Sequence, residues 1–500
     1  MHYGTIFKNA GDFMYLTICV TSDLHGRLDR FQKIAQHIEQ IKPDILIDNG
    51  DFLQGSLITY YYDHVKPGPH PMIAIANNLG YDAAVFGNHE FNYPLKEVEF
   101  MRKQCEFPWI AANIGNFAKP YVIKEIKGKR VAIIGIVTHV TPFWDEHQYT
   151  SDLQFSEAFT AARDWVQYVK KKEYADVVIL SYHGGFTNHP KTGAPFAEND
   201  GENQGNQLLD IPEVDILITG HQHLEISCIV NGIPVIQPGA NGSCFGHITY
   251  GLNDEKALDV QLHHVTAIPE CYPSEVSRWL KERIGYTEVD FRYEGMLASR
   301  LENHAFVDFM HDIQLAAADA QLSVVELSYH EYGGFTGAIT HFDVLKNFSR
   351  PNTLKVLELT GADIKEALEQ CAAVFAVNAD GDIDFSLNVH PDVLAPYVYD
   401  FWGGLDYELL ISDPVGSRVK NMLYDGKPVT NDMTFKVVMN SYRATGADFP
   451  MFRNKPLLEE TKEIVPELII KYIKDHPPLS HREHGRFQVT AGRAETPSIY

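Results

Sequence analysis

The sequence predicts an α/β fold that is divided between two domains. Its 500 residues exceed what one hydrophobic core usually supports, and an apolar content of 45% is ample for two. Strand and helix patterns alternate through the first half, whereas the second half mixes them without that regularity. We therefore expect a first domain over residues 1–270, a linker helix region over 271–300 and an α+β domain over 301–500.

The first half alternates between short apolar runs and helical spacing. The runs have the length and composition of buried strands and lie at 15–20, 44–47, 83–86, 177–180 and 216–218. Helix patterns at 31–41, 95–105 and 157–172 separate several of them. Strand–helix–strand units connect through right-handed crossovers, so this part is predicted to be mainly parallel.

The crossovers disappear further along the chain. Strand-like runs follow one another at 226–230, 234–237, 247–252 and 260–265, which predicts an antiparallel part. A boundary near 269–273 precedes a linker helix pattern at 274–284. The second domain is predicted to contain helices at 306–320 and 362–371 and strands at 354–359, 407–411 and 435–439.

Composition and charge exclude several classes of protein. The formal net charge of −24 argues against a nucleic acid polymer as partner, because phosphate contacts need clustered Lys and Arg. The six cysteines are scattered without a Cys-x-x-Cys pair, which is typical of reduced core thiols. Neither a signal-peptide pattern nor an apolar run of about 18 residues occurs, so we expect a cytoplasmic protein with no membrane partner. The oligomeric state stays open.

Each of the five apolar runs leads into residue types that hold metal ions. The motifs are Asp23-Leu24-His25, Gly50-Asp51, Gly87-Asn88-His89-Glu90, His183 and Gly220-His221-Gln222-His223. Singly, such residues are more often helix caps, turn formers or hydrogen-bonded structural histidines. Together they predict one site, because parallel strands project their following loops to the same sheet edge. Imidazoles favour Mn, Fe, Co or Zn, and the full set is what a two-metal hydrolytic centre needs.

The order of these motifs resembles that of the calcineurin-like metallophosphoesterases over about residues 15 to 265. The resemblance implies a β-sandwich flanked by helices and two divalent ions. It implies one ion held by Asp23, His25, Asp51 and His223, and a second held by Asp51, Asn88, His183 and His221. The resemblance makes His89 a catalytic residue that contacts a phosphoryl oxygen or protonates the leaving group.

The segment 441–448 and the strand before it resemble the C-terminal domain of 5′-nucleotidases. The resemblance implies that an aromatic side chain at Tyr442 stacks on the nucleobase and that Asp448 accepts hydrogen bonds from ribose hydroxyls. Any base presents a π-face to an aromatic ring, a contact worth roughly 1–3 kcal/mol. The alternative makes Tyr442 a core aromatic and Asp448 a turn residue.

The residue at position 92 points to one branch of this family. The 5′-nucleotidases and sugar-nucleotide hydrolases usually carry Asp there, whereas Asn92 resembles the 2′,3′-cyclic-nucleotide 2′-phosphodiesterase/3′-nucleotidase branch. An asparagine can orient His89 through a hydrogen bond, but it cannot stabilise an imidazolium as an anion would.

Two positions depart from the family pattern. Arg350 stands where both branches usually place a second stacking aromatic, although an arginine can also stack on a base. The Gly-rich segment 332–337 carries no phosphate-binding arginine, so Arg350 and Arg443 are the candidates for that role. The leaving group of the substrate is therefore left open.

We expect a two-metal phosphoester hydrolase that acts on small-molecule nucleotides, most like a 2′,3′-cyclic-nucleotide 2′-phosphodiesterase/3′-nucleotidase. A 5′-nucleotidase or sugar-nucleotide hydrolase is the alternative within the family. A nucleotide-binding sensor with little turnover is the alternative from another class. A protein phosphatase is disfavoured, because a base-binding domain would obstruct the open groove that a phosphoprotein needs.

Overall fold

The fold comes from a computed structural model, which describes residues 14–144, 147–196, 201–253, 258–266, 271–327, 332–348, 350–386, 399–446 and 448–492. The chain divides into two units, Met1–Pro273 and Ser274–Tyr500. Residues 269 and 270 of the predicted boundary lie outside the described residues. No helix in these ranges is both long and apolar enough to cross a bilayer.

The first unit is built from two six-stranded sheets. In chain order its strands are Tyr15–Thr21 (β1), Ile45–Asp48 (β2), Ala83–Val85 (β3), Trp109–Ile110 (β4), Tyr121–Ile126 (β5), Lys129–Val137 (β6), Val177–His183 (β7), Ile216–Thr219 (β8), Glu225–Val230 (β9), Ile233–Pro238 (β10), Cys244–Gly251 (β11) and Leu258–His264 (β12). One sheet has the order β12-β11-β1-β2-β3-β4 and the other has the order β5-β6-β7-β8-β10-β9. Each sheet therefore joins a parallel part to antiparallel strands.

Helices accompany the strands of the first unit. They are Leu28–Ile41 (α1), Leu57–Tyr60 (α2), Pro71–Leu79 (α3), Leu95–Gln104 (α4), Thr141–Trp144 (α5), His147–Thr150 (α6), Ala158–Lys172 (α7) and Gly205–Leu208 (α8), with a π-helical turn at Tyr61–Val65 and a 3₁₀ turn at His89–Asn92. The helix patterns predicted at 31–41, 95–105 and 157–172 correspond to α1, α4 and α7.

The main core of the first unit lies between the two sheets. Ile18 and Ile47 of the first sheet and Ile179 and Ile218 of the second are fully buried in one apolar cluster. The outer face of the second sheet is covered by α7, whose Ala162 and Val166 are also fully buried. This arrangement is the predicted β-sandwich flanked by helices.

The second unit mixes mostly antiparallel sheets with helices. Its strands are Arg283–Thr287 (β13), Tyr293–Glu294 (β14), Leu322–Glu326 (β15), Tyr332–Gly333 (β16), Gly337–Thr340 (β17), Leu354–Thr360 (β18), Phe375–Val377 (β19), Ile383–Phe385 (β20), Asp400–Gly403 (β21), Asp406–Leu410 (β22), Val419–Tyr424 (β23), Lys427–Pro428 (β24), Thr434–Asn440 (β25), Leu457–Glu460 (β26) and Phe487–Thr490 (β27). The larger sheets have the orders β21-β15-β25-β18-β26 and β24-β23-β22-β27.

The helices of the second unit follow from local sequence signals. They are Ser274–Leu280 (α9), Ala298–Leu301 (α10), Ala305–Ala317 (α11), His341–Leu345 (α12), Gly361–Ala373 (α13), Ser441–Ala444 (α14) and Val465–Asp475 (α15), with a 3₁₀ turn at Pro450–Phe452. A capping box between Thr360 and Asp363 fixes the start of α13. The helix predicted over 274–284 is too long, because α9 ends at Leu280 and β13 begins at Arg283.

Candidate metal centre

The predicted metal ligands meet at one edge of the first unit. Asp23 follows β1, Asp51 follows β2 and Asn88 follows β3, whereas His183 ends β7 and the 221–223 segment follows β8. Both sheets of the sandwich thus send the carboxyl ends of their parallel strands to the same place. The ligand-type residues are buried except for His221, which is half-buried, and His223, which is exposed.

The backbone at this edge adopts a conformation that few non-glycine residues take. Left-handed φ values between 46° and 71° occur at Asp23, His25, Asp51, His221 and His223. Each residue held in this way costs of order 1–3 kcal/mol and persists where the surroundings enforce it. Here backbone hydrogen bonds cross between the loops, from Asp23 N to Gly50 O (2.9 Å) and from His25 N to Asp51 O (3.0 Å).

Glycine is required where two of these loops touch. A Cβ at Gly87 would lie 2.1 Å from Asp51 Oδ1, and a Cβ at Gly50 would lie 2.6 Å from Gly87 N. The Gly-Asp and Gly-Asn-His-Glu motifs therefore carry their glycines because the Asp51 loop and the Asn88 loop pack backbone against backbone.

One group of ligand atoms gathers around Asp23. His25 Nε2 lies 3.1 Å from His223 Nε2, and His223 Nε2 lies 3.6 Å from Asp23 Oδ1. Asp51 Oδ2 lies 4.0 Å from His25 Nε2, at the side of this group.

A second group gathers around Asn88. Its Oδ1 lies 3.2 Å from His183 Nε2 and 2.9 Å from His221 Nδ1. Asp51 Oδ2 lies 3.2 Å from His183 Nε2, so this carboxylate is next to both groups. The distances place Asp51 where a ligand shared by two ions would be.

Hydrogen bonds outside the two groups orient the imidazoles. The Nδ1–H of His25 donates to the carbonyl oxygen of Gln54 (3.0 Å), and that of His183 donates to the carbonyl oxygen of Asn49 (2.6 Å). Each ring therefore turns Nε2 towards the ligand atoms of its group, as metal-binding histidines do. Imidazole nitrogens, carboxylate oxygens and an amide oxygen thus converge within about 3–4 Å of one another, and this donor set fits divalent transition-metal ions.

Glu90 is a structural member of the centre to which sequence reasoning assigned no role. Its buried carboxylate accepts from the backbone N–H groups of Asp51 (3.0 Å), Phe52 (2.9 Å) and Gly87 (2.7 Å), and it thereby ties two ligand loops together. Burial, followed by the nearby Asp51 carboxylate, raises the pKa of Glu90 to about 7. The signal was present in the sequence, because Glu90 closes the Gly-Asn-His-Glu motif.

His89 stands beside the ligand groups and is anchored by Asn92. The Nδ1–H of His89 donates to Asn92 Oδ1 at 2.6 Å, and the backbone N–H of His89 donates to Asp51 Oδ1 at 2.9 Å. Its Nε2 lies 4.0 Å from Asp51 Oδ2, and the side chain is 26% exposed. The Nε2 edge of the ring is thus close to the ligand atoms, and part of the side chain is exposed to solvent.

The electrostatics of the centre separate two of the histidines. Burial lowers the pKa of His25 to about 4, which keeps that imidazole neutral. Burial acts in the same direction on His183, but the Asp51 carboxylate outweighs it and raises the pKa of His183 to about 10. Burial would raise the pKa of Asp51, but the neighbouring histidines, first His183, hold it well below its usual range.

In the second unit, Tyr442 and Asp448 lie close together after β25. Tyr442 is half-buried in α14, Asp448 is exposed with φ +61°, and the hydroxyl of Tyr442 donates to Asp448 Oδ2 at 3.3 Å. A half-buried ring beside an exposed carboxylate could contact a base and its ribose together.

The structure speaks against Arg443 as a phosphate-binding residue. Its side chain is buried, with Nε 2.9 Å from Asp400 Oδ2 and Nη2 3.2 Å from Glu326 Oε2. The guanidinium also lies 4.2 Å from the centre of the Phe449 ring. Two carboxylates and an aromatic face thus hold this cation inside the core.

Arg350 is exposed in the structure, between Ser349, which lies outside the described residues, and Pro351. Phe348 packs against the core with its ring stacked 5.9 Å from that of Phe306. Phe348 is therefore part of the hydrophobic packing of the second unit.

Comparisons with known proteins agree with this geometry. Calcineurin-like phosphoesterases match residues 16–225, and the 5′-nucleotidase C-terminal domain matches residues 283–454. A 2′,3′-cyclic-nucleotide 2′-phosphodiesterase/3′-nucleotidase of Haemophilus influenzae is 25% identical over 92% of this chain and 84% of its own length. The trifunctional nucleotide phosphoesterase protein YfkN of Bacillus subtilis is also 25% identical over 93% of this chain, which spans only 38% of YfkN.

A solved structure extends the likeness over both units. The crystal structure of a proposed 5′-nucleotidase from Staphylococcus aureus, in complex with α-ketoglutarate, has a TM-score of 0.85 at 27% sequence identity, and the match covers 95% of this chain and 100% of that one. The chain is therefore a member of the calcineurin-like phosphoesterases that carry a 5′-nucleotidase C-terminal domain, and it is a metal-dependent phosphoester hydrolase that uses two divalent metal ions.

Proposed function

We propose that the chain hydrolyses nucleotides as a 2′,3′-cyclic-nucleotide 2′-phosphodiesterase/3′-nucleotidase. The observation that carries this choice is the 2.6 Å hydrogen bond from His89 to Asn92, because a neutral amide occupies the position where the 5′-nucleotidase branch usually has Asp. The relative from Haemophilus influenzae, which bears this activity in its name, supports the choice.

We assign the two ions to the two groups of ligand atoms. Asp23, His25 and His223 would hold one ion, Asn88, His183 and His221 would hold the other, and Asp51 would be shared. When bound, the ions supply a hydroxide near neutral pH and neutralise charge on the phosphoryl oxygens.

His89 supplies the proton that the leaving oxygen needs. With Nδ1–H engaged by Asn92, the ring can carry its second proton only on Nε2, which is the nitrogen on the side of Asp51. Nε2–H then donates to a phosphoryl oxygen or to the departing 2′-oxygen as the phosphodiester bond breaks. General acid catalysis of this kind typically contributes 10²–10⁴-fold to the rate.

The second unit contributes to nucleoside recognition in this proposal. Tyr442 would stack on the base, and Asp448 would accept from the ribose hydroxyls. Arg350 stays a candidate for a phosphate or base contact because it is exposed. Cytoplasmic location and manganese as the metal stay predictions.

A substrate panel tests the proposal. With Mn²⁺ present, 2′,3′-cyclic AMP and 3′-AMP should be hydrolysed faster than 5′-AMP and UDP-glucose, as measured by nucleoside and phosphate release. A preference for 5′-AMP or UDP-glucose would favour the alternative branch. If none of these substrates is hydrolysed while two equivalents of metal are bound, a nucleotide sensor is favoured.

A substitution tests the role of His89. His89→Ala should lower kcat by about 10²–10⁴-fold and leave both ions bound, because His89 is no ligand. His37→Ala, on the exposed face of α1, is the matched control and should keep the wild-type rate. Near-normal turnover of His89→Ala on every substrate would contradict the assigned role.

A further inference from the structure

Glu202 occupies a fixed position above the second group of ligand atoms. Its backbone carbonyl accepts from Tyr182 Oη (2.8 Å) and from Thr138 Oγ1 (2.9 Å). The next residue is also held, because Asn203 Oδ1 accepts from the backbone N–H of Gly185 (3.0 Å). The segment is thus attached to the end of β7 and to the loop after β6.

The side chain of Glu202 reaches one of the proposed metal ligands. Its Oε1 lies 2.9 Å from His221 Nε2, while the other ring nitrogen of His221 lies 2.9 Å from Asn88 Oδ1. Because a carboxylate oxygen accepts, Nε2–H of His221 donates to Glu202, and Nδ1 is the nitrogen that faces the ligand group.

His221 is therefore turned in the opposite sense from the other oriented ligands. His25 and His183 donate Nδ1–H to backbone carbonyl groups and present Nε2, whereas His221 donates Nε2–H to a carboxylate and presents Nδ1. His221 is also the less buried ring, with 14% of its side chain exposed against none of that of His183. A carboxylate partner compensates for weaker packing, because it fixes both the tautomer and the ring orientation.

We propose that Glu202 is a positioning residue for the ion assigned to Asp51, Asn88, His183 and His221. It selects the Nε2–H tautomer of His221 and makes Nδ1 a stronger ligand, as a carboxylate does in a carboxylate–histidine–metal arrangement. The inference rests on the ligand assignment of the proposed function. It adds that the two ions depend unequally on the segment after residue 200, since Glu202 contacts His221, which is assigned to the second ion.

Metal titration of the ion-free protein tests the proposal. Wild type should bind two equivalents of Mn²⁺, and Glu202→Ala should keep one affinity while the other weakens by about 10–100-fold. Glu202→Gln should lose less, because its amide oxygen still accepts from Nε2–H. Glu213→Gln, at an exposed position before β8, is the matched control and should titrate like wild type.

A double-mutant cycle identifies the affected ion. Glu202→Ala should add little to the loss caused by Asn88→Ala, since both act on the same ion, but it should add fully to the loss caused by His223→Ala. The thermal midpoint of the ion-free Glu202→Ala protein should equal that of ion-free wild type. If Glu202 were needed only for folding, the substitution would lower this midpoint.

Three results would overturn the inference. Unchanged affinities in Glu202→Ala would remove the positioning role while leaving the dimetal assignment intact. An equal loss of affinity for both ions, together with a lower thermal midpoint of the ion-free protein, would show that Glu202 stabilises the fold. Failure of wild type itself to bind two equivalents would overturn the ligand assignment, and with it this inference.

Discussion

Buried carboxylates have opposite partners in the two units. In the first unit, Asp23 and Asp51 are fully buried and have histidines as basic neighbours. In the second unit, Asp400 is equally buried, but the guanidinium of Arg443 contacts it at 2.9 Å. The contrast shows that burial of a carboxylate does not by itself indicate a functional site.

The identity of the partner decides the role of the carboxylate. An arginine keeps its charge under all ordinary conditions, so Arg443 remains a fixed cationic partner for Asp400 inside the core. Imidazoles can be neutral ligands, and a carboxylate among several of them becomes a place for divalent cations. Three substitutions test this distinction, and a fourth tests the proposed base contact of the second unit.

The largest effect is expected at the shared ligand. Asp51→Asn keeps the size of the side chain but removes the charge next to both ligand groups. It should lower the metal content below two equivalents and reduce kcat by at least about a thousandfold, since metal ions supply several kcal/mol of transition-state stabilisation. Asp164→Asn, on the exposed surface of α7, is the control. Full metal content in Asp51→Asn would contradict the shared role.

The second effect concerns stability. Arg443→Met leaves Asp400 buried without its cation and should lower the free energy of unfolding by about 3–5 kcal/mol, measured by denaturant titration. Metal content should not change, because no ligand is altered. The double variant Arg443→Met with Asp400→Asn should recover part of the loss. Arg292→Ala, which breaks an exposed pair, is the control and should leave the free energy of unfolding nearly unchanged. A small effect of Arg443→Met on the free energy of unfolding would contradict the structural role of the Asp400–Arg443 pair.

A half-buried carboxyl group in the first unit, that of Asp63, gives a third case. Burial, with a smaller contribution from Glu97, raises the pKa of Asp63 to about 7. The folded chain thus keeps a proton that the unfolded chain releases near pH 4. The stability that this group contributes is present below about pH 4 and is lost as the pH rises to about 7.

Asp63→Asn should remove the loss of stability that occurs as the pH rises from about 4 to about 7. Relative to wild type, the variant should be more stable at pH 8 than at pH 4.5, by up to about 4 kcal/mol. Thermal or denaturant unfolding at the two pH values measures the difference, and Asp152→Asn at an exposed position is the control. Identical pH dependence of wild type and variant would show that Asp63 is charged in the fold.

The smallest effect is expected at Tyr442. Loss of one base-stacking ring in Tyr442→Ala should raise KM for nucleotides by about 5- to 150-fold, equivalent to roughly 1–3 kcal/mol, and should leave KM for an aryl phosphate unchanged. Tyr442→Phe should behave like wild type if stacking dominates. Equal effects on both substrates would make Tyr442 a residue of the core.

Much of the fold and of the metal centre could be predicted from local patterns. The helices α7 and α13 and the strands β18 and β25 follow from periodicity within single segments. The positions of the metal-ligand candidates could be predicted because each ends or follows a buried strand. The contact expected between Asn92 and His89 is present, because side chains three positions apart on one 3₁₀ turn lie close together.

What could not be predicted depends on long-range packing. Arg443 was a candidate for phosphate binding, but its partners Asp400 and Glu326 lie 43 and 117 residues away in the chain. Glu202 lies in a segment of no strong pattern, and only the fold brings it to His221. The helix predicted over 274–284 is too long for a related reason, because its last residues belong to β13, which pairs with the distant strand β17.

The left-handed backbone at the ligand loops has a consequence for engineering and for evolution. Five ligand-type residues occupy positions where glycine would relieve strain. His223→Gly should therefore raise the thermal midpoint of the ion-free protein while it removes a ligand. Selection for thermal stability alone would drive these positions towards glycine, and only selection for turnover retains histidine and aspartate there.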